Sequence, residues 1–537
     1  MAVALRPPVA SLPAPRPAPA LSLVAPAVPL FTARNRAGWV LMVVGMFMAL
    51  LDIQIVASSI GDIQGGLSAA PDEVAWLQTS YLVAEIVMIP LSGLLARLLS
   101  TRVLFALSAA GFTLASVACT FATTLGGMVA ARAVQGFLGG AMIPTVFATG
   151  YLIFPRDRQA TMGVTIGLVA TLGPTLGPTL GGWLTTNLSW HWLFLVNLAP
   201  GIVVTIGVWS LLDVDRPDAS LLRRFDLLGL LAMAAFLGGL QYALDEGPRH
   251  DWLEDDLVRA SVIVMFTGAV VFFWRVFRHP SPIVDLRCFR NRNFAVGSLY
   301  SFLLGIGLYG CVFLLPLFLG RVRHLTALDI GWVMAVTGVA QLAAAPLAGR
   351  VSTRIDLRLM LAVGMALMAL GIYLNGALTN QSGFAELALP QAVRGVAMLF
   401  CFMPINRLSL GTLPAEELKN ASGVFNLTRN LGGAVGLAVL NTFINQQAQL
   451  HWSRLAERVT PARPVVRATL DALADRLAGL LPGDPRLAAL KEVARVVERE
   501  ALVLTFNEAF LGVALLYVAA LALMPLIERP KAAADGR

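Results

Sequence analysis

Apolar stretches of about 20 residues, separated by short charged clusters, fill the chain from about residue 38 to residue 526. That is the length of helix needed to cross a bilayer core of about 30 Å. Fourteen such spans are countable, at about 38–58, 77–97, 102–121, 126–149, 160–184, 192–211, 227–244, 258–278, 294–319, 329–350, 358–377, 388–411, 425–447 and 505–526. One stretch departs from the pattern. Residues 173–182 read GPTLGPTLGG, a run of helix breakers inside the uncharged segment Met162–Leu184. A loop there would leave backbone polar groups unsatisfied in lipid, so the run predicts one helix bent at Pro174 and Pro178. Gly173, Gly177 and Gly181 recur every fourth residue, a smooth stripe for close helix packing.

Composition agrees with a membrane protein. The 537 residues are 57% apolar and 13% charged, with a mean hydropathy of +0.74, against roughly 25% charged residues in soluble domains. The basic pI does not point to nucleic acid, because Arg and Lys crowd alternate short loops (Arg97 and Arg102, Arg156 and Arg158, Arg350 and Arg354). That asymmetry orients those loops and both termini toward the cytoplasm. Residues 1–37 are rich in Pro and Ala and read as a disordered tail, and 527–537 as a second cytoplasmic tail. The outer loop 448–504 carries mixed charge and a Leu/Ala spacing that suggests two short amphipathic helices outside the membrane. Four scattered cysteines give no metal or disulfide spacing, and no HExxH, acid cluster or Walker loop argues for an enzyme.

An internal repeat emerges when the spans are aligned. PLSG (Pro90–Gly93) in the second span matches PLAG (Pro346–Gly349) in the tenth, 256 residues on. RAVQG (Arg132–Gly136) in the fourth matches QAVRG (Gln391–Gly395) in the twelfth, 259 residues on. These offsets predict an all-α integral membrane protein of fourteen transmembrane helices: a six-helix half at 38–211, two inserted helices within 212–293, and a second six-helix half at 294–526. Parallel halves with a site at their interface are the plan of major facilitator transporters.

Ionisable residues in lipid are costly and mark function. Asp52, Glu85 and Arg132 fall in the first, second and fourth spans, roughly 9 to 12 Å from the outer helix ends at about 1.5 Å per residue. Two carboxylates near a guanidinium suit proton coupling, since burial and the cation act oppositely on protonation. A buried ion pair joining two helices is the simpler alternative for Asp52 and Arg132, and the two roles can coexist. For Glu85 the alternative is a protonated carboxyl bonded to a neighbour. Gln54 and Gln135 flank the charges and serve either to orient them, to touch substrate or to join helices. Tyr81, Gln341, Arg394, Asn406, Asn426 and Asn430 complete the candidate substrate contacts. For Arg407 and Arg429, at the cytoplasmic ends of their spans, snorkelling to the interface is expected.

The motifs resemble those of the fourteen-helix drug:proton antiporters of the EmrB/QacA type. LLDIQIV (Leu50–Val56) is similar to their first-helix signature and RAVQGFLGGAMIP to their fourth-helix motif. The fifth-helix antiporter motif is matched at Gly173, Gly177, Pro178, Gly181 and Gly182; PIVDLRCFRNRNF and NLTRNLGGAVG also resemble family segments. The resemblance implies export of drugs or other amphipathic small molecules across the bacterial inner membrane, driven by a proton gradient with no other cofactor. Export of one metabolite, siderophore or lipid is the alternative. The long outer loop is most like the EmrB branch, whose members work with a periplasmic membrane-fusion adaptor and an outer-membrane channel. A solvated cap on the exit is the competing reading of that loop. The resemblance also implies that the bend of the fifth helix packs against the second half and limits leakage during exchange. One family motif is altered: Arg97 stands where an Asp would close the loop after the second span, and Ser100 replaces a Gly.

Overall fold

A computed structural model of the protein describes residues 30–460, 462–478 and 484–528. Of the tails expected at 1–37 and 527–537, residues 1–29 and 529–537 lie outside the described residues, and residues 33–37 belong to the first helix rather than to a disordered tail. No strand occurs among those described. The first half is α1 (Ala33–Ser58), α2 (Trp76–Leu99), α3 (Thr101–Thr120), α4 (Leu125–Ile153), α5 (Gln159–Asn187) and α6 (Trp192–Leu211). Then come α7 (Leu227–Glu246) and α8 (Asp256–Arg278), packed on each other, with α7 against α2. The second half is α9 (Arg292–Arg321), α10 (Ala327–Arg354), α11 (Leu357–Tyr373), α12 (Phe384–Ser409), α13 (Leu418–Ala456) and, after the outer helix α14 (Pro464–Leu477), α15 (Pro485–Leu521).

Thirteen helices among the described residues are long and apolar enough to cross a membrane. The expected span at 425–447 lies within α13, a 39-residue helix whose Asn, Gln and Arg residues keep it out of that set. Its polarity has a cause. α13 packs against α9 and α15 of its own half and against α2 and α4 of the other, so protein surrounds much of it.

The outer loop differs from expectation. Among the described residues it holds one separate helix, α14, between outward extensions of α13 and α15. No Gly or Pro interrupts residues 448–456 or 486–504, so the two membrane helices simply continue.

α5 runs without interruption through Pro174 and Pro178. Its glycine stripe faces α1 of its own half, while the opposite side packs against α10 of the second half, as expected of this helix. A Cβ on Gly177 would come within 2.4 Å of the Gln54 Cβ, and one on Gly173 within 2.9 Å of the Leu50 Cβ. The threonine side of α5 meets α10 instead: Thr171 Oγ1 lies 2.9 Å from Gln341 Oε1, and Thr179 fills the space above Gly331. α5 is sandwiched between two helices, and the residues without side chains lie on the side of the closer approach.

At the end of the bundle that carries the termini, α2 turns into α3 through the single residue Ser100, at φ 77°. That conformation favours glycine, and here a serine holds it, its Oγ accepting the Val103 N–H at 3.4 Å. The two halves are clasped beside this turn. Lys419, at the start of α13, pairs with Asp215 and donates to the Ala96 carbonyl at 3.2 Å. Asp215 also accepts from Thr101 N at 2.9 Å and Thr101 Oγ1 at 2.6 Å, capping α3. The acid missing at Arg97 is thus supplied from the linker that follows α6.

Candidate functional site

Four helices of the first half converge on one carboxylate. Asp52 on α1 accepts from Arg132 Nη1 at 2.6 Å, from Gln135 Nε2 at 3.0 Å and from Asn197 Nδ2 of α6 at 2.7 Å. Gln135 and Asn197 also reach Ser116 Oγ of α3, at 2.6 and 3.2 Å. Arg132 and Gln135 lie one turn apart on α4, which lets the guanidinium donate to both Asp52 and Gln135 Oε1 at 2.6 Å. The Asp52 and Arg132 side chains are both 0% exposed. Charges so buried persist only when nearly every lone pair and N–H is matched, and this network matches most of them. Tyr81 of α2 closes it, with its ring 4.2 Å beneath the Arg132 guanidinium.

Glu85, one turn along α2 from Tyr81, stands apart. It is buried, its Oε1 has no partner, and the charges of Arg132, Arg429 and Asp52 all act on it. Its backbone lies tight against Gly140 of α4, where a Cβ would meet the Glu85 carbonyl oxygen at 2.7 Å. Gln54 is not part of the Asp52 network; it sits on the α1–α5 seam beside Gly177.

Arg429 corrects another expectation. It does not snorkel: it is 3% exposed, because α13 runs between the halves and offers it no route to an interface. Its guanidinium lies 5.4 Å from the Phe147 ring of α4 and 5.3 Å from the Phe402 ring of α12, and it donates to Asn426 Oδ1. Arg407 is half-buried and reaches the Ser352 carbonyl at 3.1 Å. Asn426 and Asn406 donate to carbonyls of their own helices, Ser422 at 2.9 Å and Phe402 at 2.6 Å, and Asn430 is half-buried. Gln341 is buried on α10 between the halves, with its Nε2 unpartnered.

Arg394 occupies the second half's version of the Arg132 site. Thr337, which lies 256 residues after Tyr81, donates to Gln391 Oε1 at 3.1 Å and accepts from Arg394 Nη2 at 3.4 Å. The backbones repeat as well. A Cβ on Gly136 would meet the Tyr81 carbonyl oxygen at 2.2 Å, and one on Gly395 the Thr337 carbonyl oxygen at 2.4 Å. Cys311 of α9 lies close to Arg394, and Arg394 Nη1 has no partner.

Asn197 and Ser116 escaped the sequence reading, and Arg429 was placed there at the interface rather than in the protein interior. Asn197 had a usable signal, being the one amide in the apolar run 193–208.

Residues 42–437 match the family model described as Major Facilitator Superfamily. The chain belongs to this superfamily. It is 40% identical to the colistin resistance protein EmrB of Acinetobacter baumannii over 87% of this chain and 91% of that one. It is 29% identical to the multidrug export protein EmrB of Escherichia coli, over 91% and 94%. Among solved structures, the proton:xylose symporter XylE superposes with a TM-score of 0.58 at 10% identity, over 92% of this chain and 96% of that one. The human organic anion transporter MFSD10 gives 0.55 at 14%, over 90% and 99%. These structures share the fold. The EmrB-type superfamily member described here is a multi-pass membrane transporter related to drug exporters, not an enzyme.

Proposed function

We propose that this EmrB-type transporter is a proton-driven antiporter that exports amphipathic small molecules across a bacterial inner membrane by alternating access. The observation that carries the reading is the fully buried Asp52–Arg132 pair in its network of amides, with the unpartnered carboxyl of Glu85 beside it. A buried carboxylate on α1 that takes its hydrogen bonds from α4 and α6 is sensitive to any movement among those helices. Rearrangement that loosens the bonds favours proton uptake, and restoring them favours release. The Lys419–Asp215 clasp supports a state closed toward the cytoplasm, with both termini on that side.

Relatives named for multidrug export, colistin resistance and fatty acid resistance have amphipathic compounds in common, which supports that substrate class. Two of those names specify one compound type, and they favour, as a second reading, a carrier of one dedicated substrate. The outward extensions of α13 and α15, with α14 between them, support docking of a periplasmic adaptor that leads to an outer-membrane channel.

The test is accumulation of a fluorescent amphipathic dye in inverted membrane vesicles energised by respiration. Accumulation should collapse on adding a protonophore. Undiminished accumulation with the gradient dissipated would remove proton drive from the proposal.

A further inference from the structure

The second half repeats the donors of the Asp52 network and not its acceptor. α9 begins at Arg292 and α1 at Ala33, 259 residues apart, the same offset that relates α12 to α4. In that register Cys311 stands where the first half has Asp52. Gln391 stands against Arg132 and Arg394 against Gln135, so both donor types are kept with their order exchanged. In the first half the two converge: Arg132 Nη1 and Gln135 Nε2 donate to the Asp52 carboxylate at 2.6 and 3.0 Å. In the second half Arg394 Nη1 and Gln391 Nε2 are buried and unpartnered. One hydroxyl keeps the two side chains together. Thr337 Oγ1 donates to Gln391 Oε1 at 3.1 Å and accepts from Arg394 Nη2 at 3.4 Å. That leaves Nη1 of the arginine and Nε2 of the glutamine for a further acceptor.

The surrounding helices supply no anion. The only acids within α9, α10, α11 and α12 are Asp329 and Glu386. Both are exposed in first turns and serve as caps, Asp329 accepting from Thr326 Oγ1 at 2.7 Å and Glu386 from Gly383 N at 2.9 Å. The ionisable groups that lie close to Arg394 are Cys311 and Tyr517, and the Tyr517 hydroxyl is committed to the Leu303 carbonyl at 3.2 Å. A guanidinium stays charged wherever it is placed, and a buried charge without a counter-charge is strongly unfavourable.

We propose that Arg394 and Gln391 bind a halide-sized monovalent anion, which does for the second half what the Asp52 carboxylate does for the first. A single negative charge matches a single guanidinium. A sulfate or phosphate would bring a second charge with no cation to meet it. Chloride accepts N–H groups from any direction, which suits two donors presented by one helix. The Cys311 thiol, smaller than a carboxylate, adds a weak S–H donor at the same place. The proposal does not depend on the proton-antiport reading. The first half carries a fixed anion and the second an exchangeable one, so the ionic medium bears on the stability of the second half.

The experiment follows thermal unfolding of the full chain, purified in detergent and sodium gluconate throughout, as chloride replaces gluconate at constant ionic strength and pH. Wild type should show a saturable rise in melting temperature of about 2 °C or more, as for any ligand of the folded state. Bromide should act like chloride, and sulfate should not. Arg394→Gln should show no rise, because the cation that needs the anion is gone. Cys311→Asp should show none, because a fixed carboxylate takes the place of the ion, and it decides alone should Arg394→Gln fail to fold. Cys311→Ser, which has no acidic group, should behave like wild type. No chloride-specific rise in wild type, or a rise that survives in Arg394→Gln or Cys311→Asp, would overturn the proposal. A rise in Cys311→Ser but not in wild type would overturn it too, by making the Cys311 thiolate the counter-charge.

Discussion

Arg132 and Arg394 sit on repeat-related helices, each beside a glutamine three residues away and each over a glycine pressed on the neighbouring helix's carbonyl. The surroundings differ. Around Arg132 are Asp52, Asn197 and Ser116; around Arg394 are Thr337 and Cys311, with no carboxylate paired to it. The same backbone frame therefore holds a complete ion pair in one half and a lone cation in the other. Packing constraints preserve the frame, since the glycines admit no Cβ, while the charge chemistry is free to diverge.

The largest test of this contrast compares Asp52→Asn with Arg394→Gln. The first strands Arg132 and should abolish proton-driven export, and it should also cost about 3–5 kcal/mol of stability, as for breaking a buried pair. The second removes an unpaired charge and should leave most proton coupling intact. Equal loss of coupling in vesicle assays would end the asymmetry.

A second test supplies the missing acid. Cys311→Asp places a carboxylate beside Arg394 and should shift stability by no more than about 1 kcal/mol, because desolvation and pairing offset each other. Cys401→Asp, buried on α12 with no charge acting on it, should cost at least about 3 kcal/mol. Denaturation of the purified protein in detergent ranks the two, and equal costs would mean that Arg394 gains nothing from an acid.

The smallest effect tests the shared frame. Gly136→Ala and Gly395→Ala should each destabilise by about 1–3 kcal/mol through overpacking against backbone. Marked tolerance of one but not the other in thermal melts would show that the frames have diverged too.

Much of the fold was legible because hydropathy and span length report directly on crossing a membrane. α13 was legible too, as the span at 425–447, although it is not among the helices apolar enough on their own to cross a membrane; it lies between the halves, where polar residues cost less. Asp52, Arg132 and Gln135 were legible as polar residues at helical spacing in apolar runs. Arg429 was misread because distance along a helix says how deep a residue is but not which neighbours surround it. The glycine stripe of α5 was correctly read as a packing seam, and α5 does meet the second half, but through its threonine side. A stripe announces close approach, and only tertiary structure says to what. Asn197 shows the opposite failure, a single amide with no partner in sequence that bonds Asp52 from 145 residues away.

The clasp at the terminus-bearing end joins Asp215 and Lys419, residues 204 positions apart. Its acid lies in the stretch that leads out of α6 into the inserted pair of helices, and its base opens α13. That binds the insertion's flank to the latch in heredity as well as in space. A chimera that borrows residues 212–293 from another transporter exchanges half of the lock with them, so the donor must bring the matching first turn of α13. The extra helices are therefore less separable from the machine than their position at its edge suggests.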